Sequence, residues 1–101
     1  MNHVYVCLQR IPWTIKGIFY SEEGAEAYAQ PDDEVCRITV TPPARTGAPY
    51  VYVLWDDVFG EFGGIFSSRQ AALQAPAQGT VHQAAVGHPT LIGGPGWPHN
   101  T

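Results

Sequence analysis

The chain has 101 residues, 45% hydrophobic and 12% aromatic, which excludes intrinsic disorder and leaves room for one domain around a single modest core. Only 14% are charged, about half the usual share, so Gln, Thr, Ser, Pro and Gly must finish the surface. The net charge of −4 divides evenly between residues 1–50 and 51–101, leaving no basic patch for a nucleic-acid backbone or an anionic membrane.

The opening MNHVYVCLQRIPW has no apolar run behind a positive region. Nothing in the chain approaches the roughly 18 apolar residues of a membrane span, so a cytoplasmic protein is expected, with Cys7 and Cys36 as reduced thiols. VYVCL, β-branched and aromatic, predicts a first strand; TIKGIFY predicts a second, joined through a hairpin that carries Trp13. Ser21 then caps a short helix, EEGAEAYA, whose Glu22 and Glu23 suit the positive helix end, and Pro31 closes it. VCRITV alternates, placing Cys36, Ile38 and Val40 on one face of a third strand.

TPPARTGAP, residues 41–49, joins this unit to a second of the same kind. YVYVLW and EFGGIFS predict its hairpin, and Ser67-Ser68-Arg69-Gln70 predicts a capping box with Gln70 reaching back to Ser67. An alanine-rich helix ends by Pro76, and TVHQAAV, residues 80–86, predicts the last strand. PTLIGGPGWPHNT, residues 89–101, lacks periodicity and is expected to be an irregular tail, with Leu91, Ile92 and Trp97 folding back or docking on a partner.

The two units repeat at an offset of 47. Val4, Tyr5, Val6, Gly17, Ile18, Phe19, Ser21 and Ala25 recur, eight of 25 aligned positions, without a gap. A unit of about 45 residues buries too little surface to stand alone, so two half-domains sharing one core are expected. The domain is residues 1–88, with repeats at 3–41 and 50–88, followed by the tail 89–101. Each repeat is a ββαβ unit with its third strand beside its first. The fold class is therefore α+β: one antiparallel sheet of about six strands, two short helices on one face, and a helix-free face left for solvent, tail or partner. Gly17 and Gly64, inside their strands, are expected to admit a close approach by the following helix.

Motifs for chemistry are missing. GGPGW lacks the Gly-Lys-Ser/Thr ending of a phosphate loop, and His3, His82, His88 and His99 are scattered without metal-ligand spacing, so no cofactor and no metal are expected. Lys16-Gly17-Ile18-Phe19 lacks the further aromatics and basic surround of an RNA-stacking strand, and Phe19 and Phe66 are read as core. The second hairpin, WDDVFGEFGG, gathers Trp55, Phe59 and Phe62 with Asp56, Asp57 and Glu61, without calcium-loop spacing. Either the aromatics point inward while the acids solvate a turn, or the tip offers a partner an aromatic anchor ringed by carboxylates. The candidate partner-binding residues are Trp13, Trp55, Asp56, Asp57, Phe59, Glu61 and Trp97.

Val4-Tyr5-Val6 with Gly17-Ile18-Phe19, and Val51-Tyr52-Val53 with Gly64-Ile65-Phe66-Ser67-Ser68, resemble the strand-hairpin-helix segment of a group of small bacterial and phage proteins of unknown function. The resemblance covers about half the chain and carries over no catalytic residue; the duplication and the Gly/Pro-rich tail depart from it. It implies a phage or mobile-element protein in a bacterial cytoplasm, of the anti-CRISPR-like, anti-defence kind. The expectation is a non-catalytic protein-binding module that inhibits a host protein or complex stoichiometrically. A self-associating accessory module, as a homodimer, is the alternative. A small enzyme or metal-dependent protein drawing on His3, His82, His88, Asp56, Asp57 and Glu61 ranks after it.

Overall fold

A computed structural model describes residues 2–10, 13–45, 47–56 and 58–93. Along the described residues run β1 (His3–Gln9), β2 (Thr14–Phe19), α1 (Glu22–Tyr28), β3 (Glu34–Thr41), β4 (Tyr50–Asp56), β5 (Glu61–Phe66), α2 (Arg69–Leu73), β6 (Thr80–Ala85) and β7 (Pro89–Gly93). The strands form one sheet ordered β6-β4-β5-β3-β1-β2-β7. The fold is α+β.

The sequence repeat reappears as a repeat of pairing. Tyr5 faces Phe19 and Val6 faces Ile18; at offset 47, Tyr52 faces Phe66 and Val53 faces Ile65. Both hairpins slip register at corresponding points, between Cys7 and Leu8 and between Leu54 and Trp55. Each third strand lies beside the first, Arg37 opposite Tyr5 and Gln83 opposite Tyr52. Helix starts correspond as well: Ser21 Oγ accepts from the Gly24 amide at 3.0 Å, and Ser68 Oγ from the Ala71 amide at 3.1 Å. The expected box between Ser67 and Gln70 does not form. With Ser68 as the cap, Gln70 stands one place too early in the helix to reach back.

Three expectations about the sheet need correction. It has seven strands among the described residues rather than about six, because Pro89–Gly93 pairs with β2 and sets Ile92 opposite Ile15. Proline is tolerated there as the first residue of an edge strand, where no amide is required. Nor is the sheet wholly antiparallel. Setting the third strand of one unit beside the second strand of the other aligns their directions, so β3 and β5 pair in parallel, Val40 opposite Ile65 and Thr41 opposite Phe66. Finally, the helix-free face is left neither to solvent nor to a partner. The sheet rolls nearly into a barrel, and the Gly87 amide donates to the Ile18 carbonyl at 2.7 Å where β6 turns into β7.

That rolled face is the core. Val4, Val6, Ile15, Ile18, Val51 and Val53 are fully buried in it, each residue of this kind contributing about 1.5–3 kcal/mol. The joining segment closes one end. Ala44 is buried there, and Tyr20 donates its hydroxyl to the Ala48 carbonyl at 2.6 Å.

The helices cover the outer face, with Ala25 and Ala72 as their buried contacts. Phe19 and Phe66 lie on this face, half-buried, outside the main core. A Cβ at Gly17 would stand 2.8 Å from the Phe19 ring, and one at Gly64 would stand 3.3 Å from the Phe66 ring. The neighbour these glycines admit is chiefly the phenylalanine two residues on, an aromatic ring laid over a bare backbone. Tyr28 of α1 completes the first site, its ring centroid 5.5 Å from that of Phe19.

Candidate functional site at the hairpin tips

β3 stands between the β1–β2 and β4–β5 hairpins, antiparallel to β1 and parallel to β5, so β1 and β4 run the same way and both tips reach the same end of the barrel. Their aromatic residues meet there. Trp13 stacks on Trp55 with centroids 4.9 Å apart and planes 14° from parallel, and the Phe62 ring lies 5.5 Å from Trp13. Trp55 is 4% exposed and belongs to the core, so its ring is not presented to solvent as an anchor would be. Trp13 is half-buried against the same cluster. These rings plug the barrel end. The plug is tightly fitted, since a Cβ at Gly93 would stand 3.2 Å from the Trp55 ring and 2.7 Å from the Trp13 carbonyl oxygen.

Asp56 is also buried, 8% exposed. Its Oδ1 accepts from the amides of Val58 at 2.9 Å and Phe59 at 3.2 Å, while its carbonyl accepts from Gly60 at 2.8 Å. One carboxylate oxygen thus organises the turn, as aspartate does in such loops. The consequence is on the far side: Val58 and Phe59 are pushed out, 83% and 72% exposed. Glu61 is exposed beside them. Asp56, Phe59, Glu61 and Phe62 line part of a cavity of about 260 Å³ that reaches Gln78. Asp57 and Trp97 lie outside the described residues.

The tip therefore combines two of the readings open from sequence. Trp55, Trp13 and Phe62 point in, while Phe59 points out with Glu61 at its side. Val58 was missed as part of this surface. Its signal was present, a β-branched residue between the acids and Phe59 in a turn of four or five residues, where nothing can cover it.

A polar cluster on the outer face was missed altogether. Asp33 Oδ2 accepts from Lys16 Nζ at 2.9 Å, from the Gln30 amide at 2.9 Å and from Cys7 Sγ at 3.6 Å. The backbone amide of Gln30, then Lys16, hold the Asp33 carboxyl below its ordinary value. The hydrogen bond to Asp33 raises Lys16. Burial, followed by the Asp33 charge, raises the Cys7 thiol. A fully buried thiol pushed upward stays protonated and is no nucleophile at neutral pH. Cys36, on the neighbouring strand, points to the opposite face.

Among the described residues, no three His, Cys, Asp or Glu side chains gather where they could hold a metal ion. His3 is spent on an edge-on contact with Tyr5, its Nε2 3.2 Å from the tyrosine hydroxyl. No helix among the described residues is long and apolar enough to cross a membrane.

In comparison with known proteins, no protein-family model matches the chain, and no curated protein and no solved structure is significantly similar to it.

Proposed function

We propose that this protein is a non-catalytic protein-binding module whose β4–β5 hairpin tip docks on a partner. One observation carries the reading. A turn pinned by Asp56 presents Val58 and Phe59 almost fully exposed, beside the carboxylate of Glu61. Exposing an aromatic ring on a rigid turn costs solvation with no return to the fold, and a preordered aromatic anchor is what an interface uses. Glu61, in a chain of net charge −4, favours a partner with a basic rim. The likeness of the VYV and GIFSS segments to small phage and bacterial proteins directs the search to bacterial host proteins, with anti-defence inhibition the first form to test.

The test is capture from a bacterial lysate with the full chain as bait. A stoichiometric complex is expected. Phe59→Ser should weaken it by at least about thirtyfold, the minimum for a hot-spot residue, while the melting temperature stays put because the ring touches little of the fold. Undiminished capture by Phe59→Ser overturns the tip as the docking element. A partner chemically altered with turnover overturns the non-catalytic reading.

A further inference from the structure

β2 and β5 hold corresponding places in the two units, yet only on β2 does the outer neighbour pair along the end next to the hairpin tip. There β7 sets Gly93 opposite Thr14 and Ile92 opposite Ile15. On β5 the neighbouring β3 reaches only Ile65 and Phe66. Among the described residues, the edge from Glu61 to Gly64 has no strand beside it on that side.

The core registers this difference. Ile15, under β7, is 0% exposed, whereas Phe62, its counterpart at offset 47, is half-buried. Ile38, an inward residue on the stretch of β3 across from this edge, is half-buried too. Ala84, the counterpart of Ile38 on β6, is buried. Two cavities, of about 260 and 370 Å³, open along β5 and share Gly63 and Ala77 in their walls. Unpaired amides and carbonyls over a half-covered apolar row form a template for strand addition.

We infer that the Glu61–Gly64 edge of β5 receives an extended segment of the partner protein, added antiparallel, in the place β7 takes on β2. This rests on the protein-binding function proposed above. The chain's own β7 defines the chemistry of the occupant. An aliphatic residue stands opposite Phe62, as Ile92 stands opposite Ile15. A lysine or arginine stands opposite the exposed Glu61, as cross-strand charge pairing favours.

The probe is the acetylated peptide PTLIK, which is β7 with lysine replacing its final glycine, titrated into the isotope-labelled full chain. The amide resonances of Glu61–Gly64 should shift, with a dissociation constant on the order of 1 mM for so short a ligand. N-methylation of the peptide amides along one edge should abolish binding, and along the other edge should leave it intact. Glu61→Lys should weaken PTLIK several-fold and favour PTLIE instead. Shifts confined to other residues, or equal binding by both N-methylated peptides, overturn the site. The same shifts appearing on concentration of the protein alone, with a doubled mass, place a second copy there and overturn the partner. Peptide titration and lysate capture are read separately on the native chain. Peptide binding with no captured partner therefore sinks the protein-binding function, and capture that persists under excess peptide sinks this edge.

Discussion

Two aspartates show how little residue type alone determines. Asp56 spends its charge on two turn amides, and Asp33 on a lysine, an amide and a thiol. Both charges are engaged within the fold. Asp33 makes pH dependence predictable. Its carboxyl is held below the ordinary 3.8, so the folded state binds that proton more weakly than the unfolded chain does. The stability it contributes is present above that ordinary value and is lost as pH falls through the folded-state value beneath it. Lys16 works in the opposite sense: raised above the ordinary 10.5, its contribution holds below that value and is lost as pH climbs through the folded-state one. Asp33→Asn should lower the melting temperature at neutral pH by several degrees, and the gap from the native chain should close on acidification below about 3.8. A gap that stays constant through the acid range would mean the carboxylate charge does nothing there.

At the scale of elements, the stacked Trp13–Trp55 pair joins the two hairpins directly, whereas their backbones meet only through β3 between them. Removing one indole forfeits buried area and a stacked pair together. Trp13→Ala should cost about 2–4 kcal/mol in denaturant unfolding and erase the far-ultraviolet circular-dichroism couplet of paired indoles. The first six strands, the correspondence of the two hairpins and the Ser21 cap were legible in the sequence, because period-two patterning and a 47-residue echo specify them locally. The inward turn of Trp55 was not. An aromatic at the end of a strand can face either way, and what decides is a second aromatic arriving from a distant hairpin. β7 escaped notice for a related reason. PTLIG is too short and too rich in turn residues to signal a strand, and only the bare edge of β2 beside Ile15 makes it one. Val4, Val6 and Leu8 on one face of β1, with Tyr5 and Cys7 on the other, were the available hint that both faces are covered.

At the scale of the molecule, the rolled sheet turns a lack of third-layer cover into a closed core. β7 is what closes it on the β2 side. A chain ended after His88 would leave the β2 edge unpaired and strip Ile15 of its cover while removing Ile92 altogether. The loss should be at least about 3 kcal/mol, seen as a lowered denaturant midpoint, with association through the bared edge as the accompanying symptom. A truncated chain of native stability would show that the barrel needs no seventh strand.

Two separate, identical half-chains would have to treat both of their joints alike, each donating whatever the other donates. Here one joint is a bare parallel contact, and the other is wedged by a strand for which the first has no equivalent. Only covalent fusion permits such lopsidedness: a single extra stretch, used once, gives an otherwise even-handed ring a front and a back.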